Sequence, residues 1–229
     1  MKHQAVIFDL FGTLIPTFCY EEHDRMLARM ADLVDAPLAA FTEGWVQTGP
    51  QRSVGEFQTA EACIRHICRA LDLAPDEEAV AQAAGLRLDL IRQAMTARSD
   101  AVETLTRLRG RGLKVGLVSN CPAEVPRLWD GTPFAGLLEA PVFSCSVGLR
   151  KPDPRIYRLA CERLGVEAGA CLFVGDGGSR ELSGALAVGM APVQILDPQD
   201  DPQDALRESR EDWTGPAIQA LSQILDFVR

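Results

Sequence analysis

The chain has 229 residues, enough for one large hydrophobic core or a core with a smaller insert. Its 47% hydrophobic and 24% charged residues are those of a soluble globular protein, and a net charge of −9 leaves no basic field to gather nucleic-acid phosphates. Seven cysteines without a C-x-x-C pair read as reduced thiols of a cytoplasmic protein, no signal peptide is expected, and the longest uncharged run, residues 182–196, is too short and too broken to span a membrane.

The first element is the apolar run ending at Phe8, followed by Asp9 and then Gly12 and Thr13. A short apolar run bounded by turn signals predicts a buried strand, and the carboxyl end of such a strand is where open α/β sheets place their ligands. On this stretch alone, a nucleophilic Asp9 and an Asp that merely caps the strand are equally good readings. From Glu21 the pattern turns helical through Met26, Leu27, Met30, Leu33 and Val34, and Pro37 interrupts it. Residues 47–55 are polar and turn-rich and predict a loop. Helical spacing resumes at Ala60, Cys63, Ile64, Ile67, Cys68 and Leu71, and a further helix runs from Pro75 to about Met95. No part of residues 17–96 reads as a strand, so this block is expected to be a second, all-helical domain. Cys63 and Cys68 are poorly spaced for a metal, and His3, His23 and His66 form no pattern.

Ser99, Asp100 and Glu103 predict the start of a helix that carries Val102, Leu105 and Leu108. A second buried strand follows over residues 113–118 and closes on Ser119 and Asn120. A third is expected at residues 142–144, then Lys151-Pro152-Asp153-Pro154 leading a helix, a fourth strand over 170–174 ending on Gly175-Asp176, a helix, and a fifth strand over 192–196. Residues 197–212 predict a surface loop, and residues 218–228 a closing amphipathic helix. Strands alternating with helices argue a doubly wound parallel sheet.

In such a sheet the strand ends share one edge, which collects Asp9 with Thr13, Ser119 with Asn120, Lys151, and Asp176 with Glu181. Carboxylates after the first and fourth strands suit Mg²⁺, which takes one or two carboxylates together with water and substrate phosphate oxygens. Lys151 would offset charge between a nucleophile and an anionic substrate, and Ser119 would hold one of its oxygens.

The order D-x-x-x-T, S-N, K-P-D-P and G-D-x-x-x-x-E resembles the haloacid dehalogenase-like hydrolase superfamily over essentially the whole chain. The resemblance implies a Rossmann-like catalytic core formed by residues 1–16 and 97–229 and a helical cap formed by residues 17–96. It implies Asp9 as nucleophile, supported by Thr13, with Ser119, Asn120 and Lys151 binding substrate. It also implies Mg²⁺ held by Asp9, the Phe11 backbone carbonyl, Asp176 and Glu181, and a covalent aspartyl intermediate that water hydrolyses. Arg52, in the cap's polar stretch, is a weaker candidate for substrate contact. Phosphatases of the family carry a second aspartate where this chain has Phe11, and that residue protonates the leaving group. Its absence removes a step usually worth about 10²–10⁴-fold. Three expectations follow, in order. The first is Mg²⁺-dependent phosphoryl hydrolysis of a small anionic metabolite with a good leaving group, the second a 2-haloacid dehalogenase, and the third a low-turnover binding or regulatory protein on the same fold.

Overall fold

The computed structural model describes residues 3–16, 19–196, 198 and 210–228. The first strand, β1 (Ala5–Phe8), is buried on both faces. Five helices follow it: α1 (Tyr20–Leu33), α2 (Leu38–Gln47), α3 (Gly49–Ser53), α4 (Ala60–Ala70) and α5 (Glu77–Ala94). The chain then alternates through α6 (Ala101–Gly110), β2 (Lys114–Ser119), α7 (Glu124–Leu128), β3 (Val142–Phe143), α8 (Ser144–Val147), α9 (Pro154–Leu164), β4 (Cys171–Gly175), α10 (Glu181–Ala187), β5 (Ala191–Ile195) and β6 (Ala217–Ile218). Among the described residues the strands form one sheet in the order β3-β2-β1-β4-β5-β6, with every neighbouring pair parallel.

This is the expected α/β architecture, and its order positions the site. The chain leaves β1 toward β2 on one side and returns to β4 on the other, so the strand order reverses at β1. Open sheets bind ligands in the crevice at such a reversal, beyond the carboxyl ends of the strands. Phe8 is level with Leu117 and with Val174. Asp9 therefore projects between two strand ends, with Ser119 and Asp176 one residue further along on either side.

The two faces of β1 feed two cores, as its period of two dictates. Val6 and Phe8 pack with Leu105, Leu117, Val174 and Ile224, whereas Ala5 and Ile7 pack with Ile156, Tyr157, Phe173 and Leu182. A third cluster belongs to the inserted helices alone and contains Leu27, Met30, Phe41, Trp45, Ile64, Ile67 and Val80. Its helices begin where the sequence provides caps. Thr59 accepts the Ala62 N–H at 3.2 Å to start α4, and Asp76 accepts the Ala79 N–H at 2.7 Å to start α5. The inserted helices touch the core where α5 meets α7 and α3 meets α8. At the second contact Gly55, at φ +78°, lies so close to the Cys145 carbonyl that a Cβ would collide with it. Among the described residues no helix is long and apolar enough to cross a membrane.

Three local expectations are corrected. Residues 49–53, read as loop, are helical, because Pro50 stands in the first turn, where a missing N–H costs nothing, and the Arg52 N–H reaches the Thr48 carbonyl at 2.9 Å. Residues 218–228 are not one amphipathic helix. Ala217 and Ile218 add an edge strand beside β5, and a 3₁₀ segment, Leu221–Asp226, starts where the Gln223 side chain accepts the Gln219 N–H at 2.7 Å. Val102 faces solvent at 39% exposure while Leu105 and Leu108 are buried, and Asp100 accepts the Ser222 N–H rather than capping its own helix. The loop expected over residues 197–212 falls largely outside the described residues.

One group in the cap makes stability depend on pH. His23 is buried, and desolvation, helped by the neighbouring Arg87, lowers its pKa from 6.5 to about 4. Asp24 opposes the shift and Arg52 adds to it. Below pH 6.5 the unfolded chain takes up a proton that the folded chain refuses, so this contribution to stability falls as pH drops from about 6.5 toward 4. Between pH 7 and pH 5 the loss should be about 2 kcal/mol. Urea unfolding of the parent and of His23→Gln at both pH values checks it: the variant should lose that much less stability, and equal losses would refute it.

Candidate active site

The turn after β1 is drawn tight by one carbonyl. Leu10 O accepts the N–H groups of Thr13, Leu14 and Ile15 at 3.2, 2.9 and 3.0 Å, and Gly12 supplies the positive φ of 77° that the turn requires. The Asp9 N–H is held by Val174 O at 2.8 Å, so the backbone under its side chain is anchored to β4. The carboxylate is buried, with Thr13 donating to Oδ2 at 3.3 Å and Lys151 donating to Oδ1. Phe11 is half-buried against the main core.

The Lys151 ammonium is only 2% exposed and donates to both Asp9 and Glu181. Burial works against its charge, but the two carboxylates outweigh burial and raise its pKa. Asn120 brackets the Lys151 backbone: its Oδ1 accepts the Lys151 N–H at 2.8 Å, and its Nδ2 donates to the Lys151 carbonyl at 3.2 Å. The amide expected to bind substrate is thus engaged in placing the lysine. Ser119 is fully buried at the end of β2, and among the described residues its hydroxyl has no close hydrogen-bond partner, although the Cys121 thiol lies beside it. An unsatisfied hydroxyl of that kind suits a ligand oxygen.

The acids come from the segment after β4. Gly175 has no room for a side chain, because a Cβ would strike the Glu181 carboxylate. The Gly177 N–H, at φ +96°, donates to Glu181 Oε1 at 3.0 Å, and the Gly178 N–H donates to Asp176 Oδ1 at 3.0 Å. Oxygens of Asp9, Asp176 and Glu181 lie within 4.8 Å of one another, and all three residues are buried. Desolvation raises the pKa of Asp9, with Lys151 opposing and Asp176 reinforcing the shift. Desolvation and then the Asp9 charge raise that of Glu181 well above the usual carboxylate range. Two carboxylates, those of Asp9 and Glu181, meet Lys151, and Arg210 Nε lies 3.9 Å from Asp176 Oδ2. The excess of negative charge and the all-oxygen donor set fit a hard divalent cation such as Mg²⁺.

Arg52 is not brought to this cluster. Its guanidinium donates to Trp45 O at 2.7 Å and to Thr48 Oγ1 at 2.6 Å, and it lies 4.0 Å from the Trp45 ring centroid, inside the cap. Two supporting residues escaped the sequence reading. The Tyr157 hydroxyl donates to Glu181 O at 2.9 Å, and Gln194 Nε2 donates to Asp176 O at 3.0 Å. Tyr157 is hidden in the apolar stripe of α9. Gln194 carries a signal that was passed over, a polar side chain in the middle of a buried strand.

Residues 3–189 match the haloacid dehalogenase-like hydrolases. The glyceraldehyde 3-phosphate phosphatase of Methanopyrus kandleri is 28% identical over 99% of this chain and 97% of its own. The (S)-2-haloacid dehalogenase 4A of Burkholderia cepacia is 28% identical over 84% of this chain and 82% of its own. The fold is shared with the 2-haloacid dehalogenase of Pseudomonas syringae pv. tomato, with a TM-score of 0.70 and 23% identity over 98% of this chain and 97% of that one.

Replacing Lys151 by Met should leave Asp9 and Glu181 buried without their cation. Removing one partner of a buried ion pair costs about 3–5 kcal/mol. Chemical denaturation in chelator should show a loss of that size, and a variant as stable as the parent would contradict the charge balance described here.

Proposed function

The chain belongs to the haloacid dehalogenase-like hydrolases, and within that family we propose that it hydrolyses a phosphoryl bond of a small anionic substrate with Mg²⁺ as cofactor. The observation that carries this reading is the buried trio of Asp9, Asp176 and Glu181. Attack on a carbon–halogen bond would use Asp9, with Glu181 sharing its lysine, but would give Asp176 no part in the reaction. A divalent cation held by these acids would supply positive charge to a phosphoryl group, which would give all three a purpose. In this reading residues 1–16 and 97–229 form the catalytic core, and residues 17–96 form the cap.

Asp9 is the nucleophile. One of its carboxylate oxygens bonds to phosphorus as the bond from phosphorus to the leaving group breaks, which forms an aspartyl phosphate. Water then adds to that phosphorus, and the Asp9 carboxylate departs with inorganic phosphate as the product. Thr13 and Lys151 orient the carboxylate before attack, and Lys151 offsets charge between it and the incoming anion. Ser119 donates to one phosphoryl oxygen, and Asn120 holds Lys151 in place. Asp9, Asp176, Glu181 and the Phe11 carbonyl would hold Mg²⁺, which would supply positive charge to the phosphoryl oxygens. Phe11 has no proton for the leaving group, so the substrates of choice are acyl phosphates and phosphoanhydrides, whose leaving groups depart as stable anions.

Phe11 also supports a second reading. A halide needs no proton, so Asp9 attacking the halogen-bearing carbon of a 2-haloacid would be at no disadvantage from that side chain. The dehalogenase relatives point the same way.

Phosphate release from acetyl phosphate and p-nitrophenyl phosphate, with Mg²⁺ and with chelator, separates the two. The proposal expects Mg²⁺-dependent release that favours the acyl phosphate. Halide release from 2-chloropropionate without phosphate release would replace it by the second reading. Asp9→Asn should abolish turnover in either case, and full activity would remove the covalent mechanism. Phe11→Asp should raise hydrolysis of alkyl phosphate monoesters by up to about 10²–10⁴-fold; no gain in a folded variant would count against the role given to Phe11.

A further inference from the structure

The turn that carries the nucleophile has carbonyls on its outer side, and one residue satisfies three of them. Arg98 Nε donates to Thr13 O at 2.9 Å, its second terminal nitrogen donates to Gly12 O at 3.0 Å, and its backbone N–H donates to Leu14 O at 3.0 Å. Arg98 is 9% exposed and stands between the end of α5 and the start of α6, where the chain returns from the cap. The outgoing linker, residues 12–15, is therefore fastened to the returning one, residues 96–99, by a guanidinium fork and a backbone bond. The inner side of the same turn is gathered on Leu10 O, and the residues between the two sets of bonds include Phe11 and Thr13.

We infer that Arg98 is a positioning residue for Asp9: by holding the Gly12 and Thr13 carbonyls outward, it sets the turn so that the Thr13 hydroxyl reaches Asp9 Oδ2. The planar fork accounts for the choice of residue. Two carbonyls one residue apart call for two donors at a fixed spacing, which guanidinium offers and a lysine ammonium does not. Arg98 acts through the turn, on the Gly12, Thr13 and Leu14 carbonyls. The cap's return linker thereby becomes part of the support for the reacting carboxylate, and the position of the cap and the aim of the nucleophile share one residue. This rests on Asp9 as nucleophile, which is common to phosphoryl and carbon–halogen hydrolysis, and not on the choice between them.

The test uses the full chain and whichever substrate the parent turns over, acetyl phosphate with Mg²⁺ or 2-chloropropionate. Arg98→Lys and Arg98→Met are compared with the parent for kcat and KM, and folding is checked by near-UV circular dichroism. Misplacing a reacting group by about an ångström costs on the order of 10²-fold, so Arg98→Met should lower kcat by about a hundredfold. Its KM should stay within about threefold of the parent, because the Ser119 and Lys151 contacts are untouched. Arg98→Lys, which replaces the fork by a point charge, should recover part of the loss and lie between the two. A folded Arg98→Met variant with kcat within twofold of the parent overturns the inference, as does a loss confined to KM. A folded Arg98→Lys variant no better than Arg98→Met also overturns it. Active parent with halide as the only product sinks the phosphoryl reading while leaving this inference to the variants. A parent that releases neither product overturns both, since there is then no nucleophile to position.

Discussion

The site is organised by a charge that water cannot solvate. Lys151 lies almost wholly out of solvent between Asp9 and Glu181, and each of the three would be costly to bury alone. Together they are tolerable, and much of the surrounding chain serves to keep them together. Asn120 holds the lysine's backbone, Gly175 clears the space that the Glu181 carboxylate occupies, and the Gly177 N–H occupies one oxygen of that carboxylate. Tyr157 ties down the start of α10 through the Glu181 carbonyl. The sheet sets the end of β1, which carries Asp9, beside β4, whose following turn leads to Glu181 at the start of α10, so charge balance and topology are satisfied by one arrangement.

The balance is incomplete, and that residue of negative charge is where chemistry enters. Asp176 adds a third carboxylate, partly met by Arg210. A structural salt bridge would gain nothing from such an excess. Under the proposed phosphoryl hydrolysis such an acidic, all-oxygen set would have a use, since it would hold a divalent cation. The unsatisfied Ser119 hydroxyl, at the end of the neighbouring strand, fits the same purpose from the anion's side.

Much of this was legible in the residues. Asp9, Ser119 and Asp176 each follow an apolar run, and a run that ends on a polar group places that group at a strand end, so their convergence follows once the sheet is parallel. The helical block could be recognised because the spacing of Ala60, Cys63, Ile64 and Ile67 has no strand equivalent. What escaped was decided by long-range packing. The helical turn around Pro50 carries Arg52 folded back over Trp45, and the edge strand at Ala217 forms where β5 offers it a partner. Arg98 and Gln194 look like ordinary polar residues until the carbonyls they meet, those of Gly12, Thr13 and Asp176, are brought alongside them. Asn120 has a role that motif order does not reveal: its amide brackets the Lys151 backbone.

The reversal of strand order at β1 has a consequence for how the molecule comes into being. Asp9 is separated from its partners by long stretches of chain, 142 residues to Lys151 and 30 more to Glu181. A chain emerging from the ribosome carries Asp9 as an ordinary hydrated carboxylate until β4 and α10 have followed it out and closed against β1. The helical cap, whose core is made of near neighbours, has far less loop to close. Loop closure thus favours the cap over the site, and the burial of Asp9 waits on the pairing of β1 with β4.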